Sequence, residues 1–342
     1  MEIKDTNLDP TATERKRDHI ELALRSQVQE LDSRFYYEPL FAAHPDRSAP
    51  LAPFPFLGKT MRVPMWVSSM TGGTALARII NHNLARACGE FGMGMGLGSC
   101  RQLLHSDEHL SDFAVRHLIG EAQPLYVNLG IAQLEELIAA HQLHKVTELI
   151  SRLAADGLIV HVNPLQEWLQ PEGDRFLASP LVTIQRVIDA LDTSIIVKEV
   201  GQGFGYKSLK ALFELPLAAI DFAAAGGTNF SKLELLRAPQ TTQDAYLPFA
   251  QVGHSADEMV GFTNAILAEL GTRALCKSVI VSGGVSNCLD GYYYINKINT
   301  SAVYGQASAF LLHARGDYDT LAQYITTQVD GLRMAEAVLT VR

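Results

Sequence analysis

The stretch Gly157-Leu-Ile-Val-His161-Val-Asn163-Pro-Leu-Gln166-Glu167-Trp168 decides how the rest of the chain is read. It opens as a short apolar run, Leu158-Ile159-Val160, of the kind that forms a buried strand. Within three residues it turns polar, offering His161, Asn163, Gln166 and Glu167. Pro164 ends the strand, because it has no N–H for a ladder and restricts the residue before it. One such segment alone reads as a strand followed by an ordinary polar loop. Repetition of the layout along the chain is what points to chemistry.

The layout does repeat. Apolar runs occur at residues 63–70, 94–99, 125–130, 158–163, 195–200, 219–223, 279–283 and 302–305, and helix-like segments at 75–91, 133–153 and 181–191 lie between them. Strands alternating with helices imply βαβ units and a parallel sheet, and eight repeats in 342 residues favour an α/β fold of the (β/α)₈ TIM-barrel type. Each run also ends in glycine or polar groups. Besides the stretch above, these are Met70-Thr71-Gly-Gly73, Gly98-Ser99-Cys-Arg101, Asn128-Leu-Gly130, Lys198-Glu199, Gly226-Gly-Thr228, Ser282-Gly283-Gly284 and Gly305-Gln-Ala307. In this fold the C-terminal ends of the strands gather at one mouth, so these groups are expected to converge. Glycines there let a backbone approach a ligand, and bare N–H groups can hold phosphate. A lysine ending a buried strand, Lys198, needs an anionic or electron-rich partner. Together these features point to a phosphate-bearing cofactor, with a flavin nucleotide the first choice.

Composition narrows the partners. Apolar residues make up 47% and charged residues 19%, with a formal charge of −9, which argues against nucleic acid or an anionic membrane. Cys88, Cys100, Cys276 and Cys288 form no CxxC pair, and the histidines lack metal-site spacing, so free thiols in a reducing cytoplasm are expected. The first residues contain no apolar signal-peptide core, and no apolar run approaches the ~20 residues of a membrane span.

Residues 1–62 read as an N-terminal extension and residues 63–342 as the barrel. Beyond a tail ending at Pro10, Thr11 and Glu14 have capping-box spacing for a helix carrying Arg15, Lys16, Arg17 and His19. That basic face is either a solvated surface or a clamp for phosphate groups. The segment 237–253 reads as an insertion between the sixth and seventh strands that could serve as a mobile lid.

These motifs resemble the type II isopentenyl-diphosphate isomerases. The resemblance runs in order from Arg15 to about Leu311, and the heptad His161-Val-Asn-Pro-Leu-Gln-Glu167 is its most specific element. It implies an FMN-dependent (β/α)₈ enzyme that interconverts isopentenyl and dimethylallyl diphosphate by moving an allylic proton. By the same resemblance the enzyme requires Mg²⁺ and reduced flavin, with NADPH as reductant, and assembles as a homo-oligomer, a tetramer or octamer. Arg15, Lys16, His19, Ser99, Arg101 and His161 are then expected to hold the diphosphate. Asn163 helps to place it, Gln166 sits beside the reacting carbons, and Glu167 holds the metal. Met70, Thr71, Ser99, Asn128, Lys198, Thr228, Gly283, Gly284, Gly305 and Ala307 are expected around the flavin. The flavin ring nitrogens are the implied acid and base, which leaves the protein to bind, orient and exclude water. Gln166 cannot titrate, so its role is positional or that of a hydrogen-bond relay; His161 and Glu234 complete the implied catalytic set. Glu234 reads either as a second polar group over the flavin or as a helix-surface carboxylate. The chain departs from the family at Phe230, where many members have Trp, and at Cys100, where Met or Gln is usual. The segment 287–300 is also shorter and more aromatic than the family pattern.

Two other readings remain at this level. An FMN oxidoreductase acting on a hydroxy acid would want a His general base paired with a substrate-clamping Arg late in the barrel; no compelling pair stands there, with His254 in an expected loop and Arg237 in the insertion. A flavoprotein without activity would leave the polarity of His161 through Glu167 unexplained.

Overall fold

The structure, a computed structural model, describes residues 11–69 and 71–342. All eight apolar runs form strands of one closed parallel barrel. They are Met65–Val67, Gly94–Ser99, Leu125–Gly130, Gly157–His161, Ser194–Lys198, Ala219–Asp221, Ser278–Ser282 and Ser301–Gln306. Each strand pairs with the next in sequence, and the eighth closes on the first with Gly305 opposite Trp66. This is the TIM-barrel topology.

Helices form where the apolar spacing called for them. Ala75–Phe91 buries Ile80, Leu84 and Cys88, and Thr74 Oγ1 caps it by accepting the Ala77 N–H at 3.1 Å. The segment 133–153 divides into two helices, Ile131–Ala139 and His144–Arg152, with His141 at φ 56° in the break. The basic segment is a helix, Ala12–Leu22, with Thr11 at its N-cap. The capping box does not form. Thr11 has ψ 0° rather than the extended backbone a capping side chain needs, and its hydroxyl makes no cap hydrogen bond. The segment expected as an insertion contains the helix Gln240–Ala250, which follows the helix Phe230–Arg237.

Side chains alternate along each strand, so one set faces the barrel interior. Trp66, Tyr126, Ile159, Ile196, Ala219, Ile280 and Val303 form a single buried layer there. A hairpin of Phe54–Phe56 and Lys59–Met61 adds Phe56 and Met61 to that layer. Lys59 pairs with Asp156 at 3.0 Å, just before the fourth strand begins, which places the hairpin at the N-terminal end of the barrel. Burying each of Ile159, Ile196 and Ile280 contributes roughly 1.5–3 kcal/mol, which fixes the strands beneath whatever follows. Two residues further along, the inward positions are Ser68, Asn128, His161, Lys198, Asp221, Ser282 and Gly305. The interior thus changes from apolar to polar in one step, at the C-terminal ends of the strands.

The lead-in is tied to the far end of the chain, where Phe35–Tyr37 pairs antiparallel with Leu339–Val341. Among the described residues no helix is long and apolar enough to cross a membrane. All four cysteines are free, and Cys88, Cys100 and Cys276 are buried.

Candidate active site at the barrel mouth

The polar ring opens into two adjoining cavities. The larger, of about 540 Å³, is lined by Lys198, Thr228, Gly283, Gly284, Gly305 and Ala307, with other residues of the late strand ends. The smaller, of about 130 Å³, is lined by Ser99, Asn128, His161 and Gln166, again with Lys198. Ser69, Lys198, Val200 and Phe230 belong to both walls, so the cavities meet there. Ser99 reaches the mouth because the second strand is irregular between Gly96 and Ser99, which breaks its strict alternation.

The larger cavity depends on its glycines. Gly283 has φ +87°, and a Cβ there would lie 2.1 Å from the Ala224 carbonyl oxygen. No other residue fits that position. Beneath the cavity lies a buried charge cluster. Lys198 Nζ donates to the Glu199 carbonyl at 2.6 Å, and Asp221 is its register neighbour on the next strand. Asp221 accepts a hydrogen bond from Ser282 Oγ, but its Oδ2 has no partner. Burial pushes the Asp221 carboxyl above the usual range, with Lys198 opposing the shift. Glu199 faces away from the cavity. Its Oε2 accepts the N–H groups of Gly201, Gln202 and Gly203 at 2.7, 2.6 and 3.0 Å, which shapes the loop after the fifth strand.

In the smaller cavity His161 Nδ1 lies 2.8 Å from Asn128 Oδ1. An amide oxygen only accepts, so Nδ1 carries the proton and Nε2 is left as an acceptor. Burial, and then the charge of Lys198, hold the His161 pKa down to about 3, so the ring is neutral at physiological pH.

Pro164, which ends the fourth strand, is also the first residue of the helix Pro164–Leu169, and this turn presents the heptad's side chains together. Asn163 Nδ2 donates to Gln166 Oε1 at 3.1 Å and to Glu167 Oε1 at 2.8 Å. Gln166 Nε2 donates to Glu234 Oε1 at 3.3 Å, and Arg237 Nη1 donates to Glu234 Oε2 at 2.5 Å. Glu234 is 3% exposed, so it is not a surface carboxylate. Arg237 also pairs with Glu172 at 2.9 Å.

Arg101, two residues beyond Ser99, lines neither cavity; its side chain is half exposed and paired with Asp174 at 3.0 Å. Thr71 does not line these two cavities; its carbonyl accepts from Asn81 at 3.2 Å, and its main chain packs on Gly98. Met70 lies outside the described residues. Arg15, Lys16 and His19 lie on the exposed helix Ala12–Leu22, and the structure does not bring them into the walls of either cavity.

The cavities suit the groups that the motifs imply. The volume, the glycine walls and a buried cation match a flavin mononucleotide, and Ser68 Oγ, Ser69 Oγ and Asp221 Oδ2 are buried without partners around the polar ring. For a divalent cation, no group of three or more acidic, His or Cys ligands exists among the described residues. Glu167 alone suits the binding mode of Mg²⁺, which takes one or two carboxylates together with substrate phosphates.

No protein-family model matches the chain. Its curated relatives are unambiguous, however. An isopentenyl-diphosphate delta-isomerase of Rickettsia africae is 33% identical over 341 residues, covering 97% of this chain and 94% of the relative. That of Rickettsia peacockii is 34% identical with the same coverage, and that of Rickettsia prowazekii is 35% identical over 295 residues. The chain belongs to the isopentenyl-diphosphate delta-isomerase family. The resemblance drawn from the heptad and its companion motifs therefore holds, and the family is one of isomerases.

Among solved structures, a flavocytochrome b2 variant with sulfite bound aligns with a TM-score of 0.59 at 14% identity, covering 89% of this chain and 72% of that one. A mandelate oxidase variant carrying an FMN adduct aligns with a TM-score of 0.53 at 12% identity, covering 90% and 88%. At such identities the likeness concerns the fold, the TIM barrel already described.

Four residues tied to the site's side chains or strand ends escaped the sequence reading: Gln133, Asp174, Glu172 and Asp221. Asp221 left a visible signal, a lone carboxylate inside the apolar run 217–224. Asp174 and Glu172 left none, because a polar loop has no periodicity from which to read direction. Arg237, set down to the insertion, ends the helix Phe230–Arg237 and reaches back to Glu234.

Proposed function

We propose that the protein interconverts isopentenyl and dimethylallyl diphosphate, with FMN in the larger cavity and the substrate in the smaller one beside it. The observation that supports this most is the junction at Ser69, Lys198, Val200 and Phe230, where a glycine-walled cavity meets the one lined by His161 and by Gln166, which Asn163 ties to Glu167. FMN, when bound and reduced with NADPH as the source of electrons, supplies an electron-rich ring with nitrogens able to give and take a proton.

The chain's own residues do the rest. Lys198 and the glycines at 283 and 284 hold the flavin, with Thr71, Asn128, Thr228, Gly305, Ala307 and Met70 assigned to it by family pattern. Ser99 and Arg101 hold the diphosphate, joined by Arg15, Lys16 and His19 from the N-terminal helix. Glu167 shares Mg²⁺ with the phosphate oxygens. Asn163 fixes the Gln166 amide oxygen and Glu234 fixes its amide nitrogen, so Gln166 can present only one face to the reacting carbons. Neutral His161 offers hydrogen bonding without adding a buried charge. Closing the site from water strengthens each of these contacts.

A hydroxy-acid oxidoreductase fits less well. The two candidates His254 and Arg237 do not form its late pair, since His254 packs edge-on to Phe262 and Arg237 is held by Glu234 and Glu172. We further propose residues 1–62 as an extension to a 63–342 barrel, and a cytoplasmic homo-oligomer, a tetramer or octamer. The exposed Trp168, Leu236, Phe249 and Val252 favour such an assembly.

Isomerisation in D₂O tests the reaction. Protonation from solvent-exchanged sites should place deuterium in the dimethylallyl diphosphate formed. Product with no deuterium, or reductant consumed in step with substrate, would contradict the proposed proton transfer.

A further inference from the structure

Asp174 joins three segments of the mouth that follow consecutive strands. Its Oδ2 accepts Arg101 Nη1 at 3.0 Å, from the turn after the second strand, and Gln133 Nε2 at 2.9 Å, from the helix after the third. Its main-chain N–H donates to Glu167 Oε2 at 2.8 Å, on the helix after the fourth. Asn163 holds the other oxygen of Glu167 at 2.8 Å.

The Asp174 loop is itself held in place. Gly173 N–H donates to the Gln170 carbonyl at 3.0 Å, and a Cβ on Gly173 would lie 1.9 Å from the Glu167 carbonyl oxygen. The loop therefore lies directly on the helix that carries Gln166 and Glu167. The Asp174 side chain is 20% exposed and that of Arg101 is 51% exposed, so the cation is open to solvent while its counter-ion is largely covered.

We infer that Asp174 is a positioning residue: it sets the direction of Arg101 and the spacing between Arg101 and Glu167 before a diphosphate arrives. A half-exposed arginine has several rotamers, and fixing it in advance lowers the ordering cost of binding. One Nη1 hydrogen bond to Asp174 leaves the outer N–H groups of the guanidinium for an anion. The same loop holds Glu167 through its main chain, so the anion-binding cation and the metal-sharing carboxylate keep a fixed separation. Gln133 buttresses the carboxylate from the third side.

This inference rests on the proposed isomerase reading, and steady-state kinetics separates the two. Wild-type protein without isomerase activity would remove the reading itself. With wild-type activity in hand, Asp174→Ala should raise KM for isopentenyl diphosphate at least tenfold, with kcat within threefold and FMN affinity unchanged. Asp174→Asn, which keeps the shape and an accepting oxygen, should recover KM to within about threefold of wild type. In an Arg101→Ala background, Asp174→Ala should change KM by less than twofold, because its effect passes through Arg101. A wild-type KM in Asp174→Ala, a lower KM, or full additivity with Arg101→Ala would overturn the assignment. A loss of FMN in both Asp174 variants would also overturn it, by showing a role in the fold of the mouth.

Discussion

At the scale of single residues, Gln166 and His161 make opposite contributions. Gln166 has its oxygen taken by Asn163 and its nitrogen by Glu234, so its amide orientation is set by the protein and not by solvent. Gln166→Ala should leave FMN binding intact and lower kcat by about 10²-fold or more, the scale of loss when a reacting geometry slips. Near-wild-type turnover would remove Gln166 from the reacting centre. His161 carries a stability signature instead. Its pKa is about 3 in the fold against 6.5 when free, so between those values the unfolded chain binds the extra proton. Its contribution is therefore complete above pH 6.5 and is lost as pH falls toward 3. The thermal midpoint should fall less steeply from pH 6.5 to 4 in His161→Gln than in wild type; equal slopes would contradict a buried neutral ring. Only this paired comparison isolates the effect, because Asp221 and Glu199 have raised pKa values, whose stabilising term runs the other way with pH.

At the scale of elements, the helix Gln240–Ala250 is pinned at its C-terminal end and is not a free lid there. Asn229 Nδ2 donates to the Ala250 carbonyl at 2.7 Å, and Gln202 Nε2 donates to the Phe249 and Val252 carbonyls at 3.1 and 2.7 Å. Asn229 also N-caps the helix Phe230–Arg237 by accepting the Lys232 N–H at 2.8 Å. Asn229→Ala should cost about 1–2 kcal/mol and speed amide exchange over residues 240–252, read by hydrogen exchange. Unchanged exchange there would show that the anchor lies elsewhere. The barrel strands and the helix Ala75–Phe91 were legible in the sequence because their apolar periods match their burial. The break at His141 was not, since a positive φ at a histidine leaves no mark in apolar spacing. The mouth was legible where a strand ended in an unusual residue, as at His161 and Lys198. It was illegible where a loop residue reached it from outside a strand, as Asp174 does.

At the scale of the whole molecule, the barrel joins an apolar interior layer to a polar ring two residues further on. That step places the buried register neighbours Lys198 and Asp221 at one cavity and Gln166 in the wall of the other. The helix Ala12–Leu22 is the part least explained by this arrangement, being exposed in the structure while the family pattern gives its basic residues to the substrate. Arg15→Ala should weaken apparent affinity for isopentenyl diphosphate without affecting FMN binding. An unchanged affinity would leave that helix as solvated surface. The most direct measurement is anaerobic turnover of isopentenyl diphosphate with FMN, Mg²⁺ and NADPH, omitting each in turn. Dimethylallyl diphosphate is expected only from the complete mixture, with far less reductant consumed than product formed. Bound, reducible flavin without any dimethylallyl diphosphate would contradict the isomerase assignment.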